Sequence, residues 1–497
     1  MSQKPKRSNT AVIAVLIVIM LLMIAATAFL IYLSMDLVNK EPDVKPTQGS
    51  SMQLPQASET QALQTEPETT VPPTTEAPQV EQVIATATIG SQGDLLMHKP
   101  VFDSCRQSDG SYDFSSIFQY SKDVVSGLDY AIANLETTFG GDSYVYQGNP
   151  AFNCPDPLVD SVVDTGYDML LTANNHSGDT MGDGIVRTVE TVRGAGLTAL
   201  GSQRSGEKRY SVVDVNGIKI GMVAYTWAFS GDGSKFSRNG LTAVKDEGQM
   251  NYFTNANPDK LYTELKPILE GMKEDGAEAT MIFLHWGQEY QTKENAAQQK
   301  MAQKLCDMGF DVIVGGHPHV VQPVALLEST EDPGHKTYCI YSLGNAVSNQ
   351  RTGVSSLFPA GYTEDGVLFS VTFEKYSDGN VYVAGVDAIP TWVNMHSNNG
   401  SREYNILPLI KDNESEWESA FQMTSAQFSA AQKSYDRTMG IIGEGLTACQ
   451  EDLAQAKADR EQYYLDLPNH PEWLEADSVE ETTLETVVEE TTIPEAA

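Results

Sequence analysis

The chain is short of positive charge. Against 67 aspartates and glutamates stand 32 lysines and arginines, for a net charge of −35 over 497 residues. Most of that surplus falls on the part expected to fold, so nucleic acid held through its phosphates is excluded as a partner. Cysteine is scarce as well. The five (Cys105, Cys154, Cys306, Cys339, Cys449) show no C-x-x-C spacing, which argues against a cysteine-based zinc site. Cys105 and Cys154 are candidates for a disulfide in an oxidising exterior, with free buried thiols the competing reading. No G-x-x-x-x-G-K-[ST] loop occurs, so the chain carries no ATP-binding loop of that kind. No repeat of solenoid length is present.

Aromatic residues are missing altogether from 39–82, where Pro, Thr, Gln, Ser and Glu abound. Such a segment buries too little apolar surface to fold and reads as a tether. Residues 475–497 hold eight acids and no base, the pattern of a solvated acidic tail.

The one long apolar run is 11–33, broken only by Thr27 and Tyr32 and preceded by Lys4, Lys6 and Arg7. A bilayer needs about 20 such residues, and the basic flank puts the N-terminus in the cytoplasm. A cleaved signal has a shorter apolar region, roughly 7–15 residues. The expectation is a cytoplasmic tail at 1–10, an uncleaved signal anchor at 11–33 and a single-pass protein of the cell membrane. Everything after Asp36 then lies outside.

Between the tether and 412, apolar strand-like runs alternate with helical spacing. Strands are predicted at 84–89, 130–133, 168–172, 218–225, 280–284, 312–314 and 339–342, and helices at 115–126, 157–165, 184–193, 258–273 and 296–308. Repeated βα units imply an α/β fold with a largely parallel or mixed sheet covered by helices. Residues 366–386 differ, with a Ser-Asp-Gly-Asn turn between two alternating runs that marks a hairpin. Residues 413–474 read as a helical appendage.

Chemistry-bearing residues gather where the apolar runs end. The segments are SQGDLLMH, NLE, ANNH, HWGQEY, GGHPH and YSLGN. In α/β sheets, ligands bind beyond the carboxyl ends of strands, so six such ends describe one polar site. Carboxylate beside imidazole suits Mn, Zn or Fe. His317 and His319, two apart on an extended chain, face the same way. The glycines before them, Gly315 and Gly316, permit close backbone approach. Asn175 offers a neutral oxygen beside His176, with an Asx-type turn as the competing use of that segment. His335, His396 and His470 read as surface residues.

Taken together, GDLLMH, NLE, ANNHSGDTMGDG, HWGQEY, GGHPHVVQ and YSLGN resemble the capsule-synthesis protein CapA family, also called PgsA-like poly-γ-glutamate synthesis proteins. The likeness covers about residues 85–393. That family is similar in turn to calcineurin-like metallophosphoesterases. The resemblance implies a four-layer αββα sandwich and a two-metal centre of divalent ions, with Asp94, Glu136, Asn175, His285, His317 and His319 on the ligand motifs. Asp94 and His176 then count as catalytic, His176 as proton donor near the scissile group. His98, Glu289 and Asn345 stand beside this set as further candidates. Two features depart from the phosphoesterases: three residues separate Asp94 from His98 where those enzymes have Asp-x-His, and Glu136 replaces their bridging aspartate.

The resemblance implies a role in synthesis, export or anchoring of an anionic surface polymer of the poly-γ-glutamate class, alongside membrane subunits of a polymer synthase. Three readings stay open: a metal-dependent hydrolase or transferase, a non-catalytic scaffold or polymer-binding subunit, and a secreted phosphodiesterase.

Overall fold

The structure, a computed structural model, describes residues 82–466 apart from 231–235, 238–242, 245, 255–256, 359 and 399. The expected cytoplasmic tail, signal anchor and acidic tail lie outside the described residues, as do nearly all of the tether and the last part of the appendage. None of the described helices is long and apolar enough to cross a membrane.

Two large sheets carry the molecule. The first contains β1 (Val83–Leu95), β2 (Tyr130–Asn134), β3 (Met169–Leu171), β4 (Thr198–Leu200), β15 (Asn345–Val347), β16 (Asp365–Tyr376), β17 (Val381–Asn398) and β18 (Ser401–Pro408). Its order is β18-β17-β16-β1-β2-β3-β4, with β15 also paired to the end of β1. The second contains β5 (Ser211–Val215), β6 (Ile218–Trp227), β10 (Tyr252–Phe253), β11 (Ala279–His285), β12 (Val312–Gly316), β13 (Val321–Glu328) and β14 (Lys336–Leu343). Its order is β10-β6-β11-β12-β14-β13, with β5 on β6. Short strands β7 (Phe229–Ser230), β8 (Phe236–Ser237) and β9 (Ala243–Val244) form a small third sheet.

The sheets pack face to face. Ile89, Ile132, Met169 and Phe369 of the first meet Met222, Phe283, Val314 and Ile340 of the second in one buried cluster. A second cluster joins the outer face of the first sheet to helices Lys99–Ser104, Pro157–Thr165 and Met181–Gly194. A third joins the outer face of the second sheet to helices Pro258–Glu274 and Ala296–Asp307. The result is a mixed α/β sandwich with a helix layer on each outer face. Strands buried on both faces have no polar side to show, which is why β11 and β12 read as unbroken apolar runs.

Local signals set the helix ends. Pro157 and Pro258 occupy the first helical position, where a missing N–H costs nothing. Asn295 and Gln298 form a reciprocal capping box. The predicted helix at 115–126 is instead two short pieces, Ser115–Phe118 and Lys122–Ser126. The expected hairpin is β16–β17, turning through residues 377–380. The appendage is one helix, Ser425–Asp466, after two short turns. Its Ile442, Leu446, Cys449 and Leu453 enter the core between the sheets. Gly445 makes this possible, because a Cβ there would lie 1.7 Å from the Val324 carbonyl oxygen on β13.

The first strand is longer than predicted. The stretch after Ile89 is polar and glycine-containing and reads as a loop, yet β1 continues to Leu95. Pairing to β16 on one side and β2 on the other buries Ser91 and Gln92 inside the sheet. Tertiary partners override local propensity here. All five cysteines are free and buried, Cys105 and Cys154 included.

Candidate metal centre

Parallel register brings the strand ends of both sheets to one place. Asp94, next to last in β1, pairs with Asn134, the last residue of β2, and Asn134 pairs with Leu171 at the end of β3. In the second sheet His285, the last residue of β11, pairs with Gly316, the last of β12. Beyond these ends lie Glu136, Asn175, His176, His317 and His319.

All six predicted ligands are buried and meet. Asp94 and Glu136 are fully enclosed. His319 Nδ1 is 3.1 Å from Asp94 Oδ2, and its Nε2 is 3.7 Å from Glu136 Oε1. His285 Nε2 lies 2.8 Å from Asn175 Oδ1, 3.6 Å from Glu136 Oε1 and 3.2 Å from His317 Nδ1. Three acceptor-capable groups thus converge on one ring nitrogen, more than a single proton can serve. Neither oxygen of Glu136 has a hydrogen-bond donor. A buried carboxylate without a donor is expensive unless a cation supplies the charge. Asp94, Glu136 and His285 each offer a ligand atom within 4.8 Å of the others. This donor set fits a divalent metal ion.

The electrostatics agree. Burial, and then the charge of Asp94, pushes the Glu136 carboxyl well above the usual carboxylate range. Burial also holds His285 and His317 well below the usual imidazole range, with neighbouring imidazoles adding to it. An acid that resists ionising beside imidazoles that resist protonation is poised for a cation, which favours the ionised acid and the neutral rings alike.

The backbone at the His-Pro-His segment differs from the extended chain expected. His317 and His319 have φ of 95° and 57°, and the strand stops at Gly316. Left-handed backbone at residues other than glycine is strained by about 1–3 kcal/mol each and persists where surroundings enforce it. Here the Pro318 carbonyl accepts from the Tyr290 N–H at 2.8 Å. Gly315 is required, since a Cβ there would meet the Tyr341 carbonyl oxygen at 2.0 Å.

Asn174 makes the local turn and so frees Asn175. Its side-chain oxygen accepts from the His176 N–H at 3.1 Å, and its amide donates to the Leu135 carbonyl and to Asn134 Oδ1. Asn134 in turn donates to Asp94 Oδ1 at 2.7 Å. These two asparagines, which tie the three strand ends of the first sheet together, were missed as functional residues although both lie inside the motifs NLE and ANNH.

His176 stands at the wall rather than in the cluster. Its Nδ1 is 2.7 Å from Asp179 Oδ2, and that oxygen also accepts from the Phe152 N–H at 2.6 Å. The three further candidates separate. His98 lies on the wall, its Nδ1 accepting from the Asn349 N–H at 3.3 Å, and burial lowers it to about 3. Glu289 is exposed at the rim. Asn345 supports His319 from behind: its Oδ1 is 3.1 Å from Nδ1, and its amide faces the carbonyls of His319 and Thr363. His335 is half-buried against the Phe310 carbonyl, His396 pairs with Glu403, and His470 lies outside the described residues.

Above the cluster opens a cavity of about 700 Å³, with His176, His317 and His319 at its base and Phe152, Trp227 and Tyr290 on its sides. Phe152 and Trp227 carry no motif signal; only the fold brings them here.

Residues 88–350 match the family described as bacterial capsule synthesis protein PGA_cap. The chain belongs to that family. Among curated relatives, the capsule biosynthesis protein CapA of Bacillus anthracis is 28% identical over 270 residues, 53% of this chain and 60% of that protein. The PGA biosynthesis protein CapA of Bacillus subtilis (strain 168) is 26% identical over 302 residues, 59% of this chain and 70% of that protein. The matched stretch of this chain includes all six clustered residues and His176, whereas the helix Ser425–Asp466 lies beyond it.

Proposed function

We propose that this protein is a membrane-anchored member of its family that works outside the cytoplasmic membrane. There it takes part in the synthesis, export or anchoring of an anionic capsule-type polymer of the poly-γ-glutamate class, by metal-dependent hydrolysis or transfer. The observation that carries the catalytic part is the Glu136 carboxylate, buried without a hydrogen-bond donor and enclosed by Asp94, His285 and His319 beneath an open cavity. A purely structural role needs no 700 Å³ opening above the donor set. The layered sandwich, with ligands at the strand ends of both sheets, supports the likeness to metallophosphoesterases and a pair of ions.

Asp94, Glu136, Asn175, His285, His317 and His319 would hold the ions. Bound there, divalent metal supplies Lewis-acid polarisation of a phosphoryl or acyl oxygen. The chain's own groups do the rest. His176, held by Asp179 and lining the cavity, would serve as proton donor to a leaving group. Phe152 packs edge-on against His176 at 4.5 Å between centroids and restricts the ring.

Elemental analysis of the purified full chain, paired with incubation against poly-γ-glutamate and against a small phosphodiester, tests this reading. The expected result is stoichiometric Mn, Zn or Fe and turnover of one of the two. A metal-free protein, or a metal-bound one inert to both, gives the scaffold reading the advantage. Protease added to intact protoplasts tests the anchorage: it should remove the domain, and full protection would refute an outside location.

A further inference from the structure

Asp365 opens β16 and is 2% exposed, a buried carboxylate that takes no part in the donor set. Such a group is costly without a partner. Its partners come from the helix Ser425–Asp466. Arg437 holds it with two parallel bonds, Nε to Oδ2 at 2.8 Å and Nη2 to Oδ1 at 2.7 Å. The Ser434 hydroxyl donates to Oδ1 at 2.6 Å. A two-pronged guanidinium–carboxylate contact fixes geometry as well as charge.

Arg437 grips more than the carboxylate. Its Nη2 also donates to the Gly361 carbonyl at 3.2 Å, and its guanidinium lies over the Tyr362 ring, 5.7 Å from the centroid. Residues 361–365 are thus held at both ends. Between those contacts lies Thr363, whose carbonyl accepts from the Asn345 amide at 2.9 Å. The same Asn345 reaches His319, its Oδ1 3.1 Å from Nδ1. The backbone alongside has no slack. Gly344 bridges to Gly366. A Cβ on Gly344 would lie 2.6 Å from the Asp365 carbonyl oxygen, and one on Gly366 would lie 2.3 Å from the Asn345 carbonyl oxygen. In packing this close, a shift of 361–365 is passed on to Asn345.

We infer, on the metal-binding reading proposed above, that Arg437 is a positioning residue for the metal centre: by fixing residues 361–365 it sets Asn345, and through Asn345 the ring of His319. Part of the support for the centre then comes from outside the family match. Arg437, Asp365 and Thr363 lie beyond residue 350, while Asn345 and His319 lie within the matched residues. The competing role for Arg437 is docking alone, in which the pair merely fastens the helix to the sandwich. A second polar contact of the same helix offers the control. Asp452 pairs with Lys336 and accepts from the Tyr338 hydroxyl at 3.1 Å. Those two residues start β14, whereas Leu343 at its other end leads into Gly344 and Asn345.

Titration of the purified full chain with Mn, after chelation and dialysis, separates the two roles. Groups that support a metal ligand typically carry 10–100-fold in affinity, and one step further out Arg437→Ala should lose about tenfold. Arg437→Lys keeps the charge but not the two-pronged contact. It should fall between Arg437→Ala and the wild type, and it carries the test if Arg437→Ala does not fold. Asp452→Asn should lower the melting temperature and leave the affinity unchanged. With Co in place of Mn, the visible absorption, which reports ligand geometry, should shift in the Arg437 variants and not in Asp452→Asn. Unchanged affinity in the Arg437 variants overturns the inference. So does an equal loss in Asp452→Asn, which assigns the effect to docking. A wild-type chain that binds neither Mn nor Co fails the metal-binding reading itself, and the inference falls with it.

Discussion

The two sheets contribute unlike halves to one centre. Strands β1, β2 and β3 of the first sheet lead into Asp94, Glu136 and Asn175, all oxygen donors. Strands β11 and β12 of the second lead into His285, His317 and His319, all nitrogen donors. The oxygen half is cross-braced, with Asn174 tied to Asn134 and Asn134 to Asp94. The nitrogen half is braced only behind His319, by Asn345; strained backbone and ring-to-ring contact hold the rest. A cation between the halves would therefore do two things at once: neutralise the acids and fasten one sheet to the other.

The strongest way to break the comparison is to remove one half's ligand and watch the other. Glu136→Ala and His285→Ala should each abolish stoichiometric metal in the purified protein, read by elemental analysis, because each side chain faces both halves. In the wild type, chelation should lower the melting temperature. Metal at about 100 times its Kd contributes roughly 2.7 kcal/mol, which for a domain of this size is about 3 °C. A melting temperature indifferent to chelator would show that the sheets need no ion to stay docked.

Next in size is the split between two neighbours on one turn. His176→Ala should keep its metal and lose about 10²–10⁴-fold in turnover or surface-polymer output. Asn175→Ala should lose metal first. If His176→Ala supports full polymer production in cells, the histidine is structural and the scaffold reading gains.

Much of this centre was legible in the sequence. His285 and the His-x-His pair end apolar runs, Asn175 and Glu136 follow others, and the strand-end rule places them all on one side. The fold class followed from the alternation of periods, and the helix ends from Pro157, Pro258 and Asn295. What local pattern could not carry is whatever depends on partners distant in sequence. The second half of β1 looks like a loop until β16, some 280 residues later, covers it. The reason His317 and His319 converge is hidden too, since left-handed backbone at those positions follows from Tyr290 and the close strand beside Gly315 rather than from the dipeptide pattern. Trp227 and Phe152 are cavity walls only by virtue of the sandwich.

The bracing of the oxygen half gives a smaller, more discriminating effect. Asn134→Ala removes the donor that orients Asp94 without touching any proposed ligand. Loss of such a supporting partner typically weakens metal affinity 10–100-fold. Asn345→Ala tests the matching support behind His319. If the bracing belongs to the oxygen half, metal titration should show the larger loss for Asn134→Ala; equal losses would mean that both halves depend alike on their supports.

The smallest effect distinguishes the halves by their protons. His285 and His317 are held below the usual imidazole range, so in the folded protein they are neutral well into acid and offer no proton to displace. Glu136 is held above the usual carboxylate range, so it keeps its proton into the window where an ordinary glutamate has lost it. The sign follows for the metal-free state. Glu136 favours the fold below about pH 4.5, and that contribution is lost as pH rises. The histidines favour the fold above about pH 6.5, and theirs is lost as pH falls from there towards their lowered folded values. Of these three groups, only the acid competes with the metal. Affinity should fall by about tenfold per pH unit as the solution is made more acidic than the raised Glu136 value, one proton released per ion bound. Glu136→Gln should bind more weakly but with that slope removed, in metal titrations run from neutral pH downward. A slope unchanged in Glu136→Gln would assign the displaced proton to the histidines and reverse the roles of the two halves.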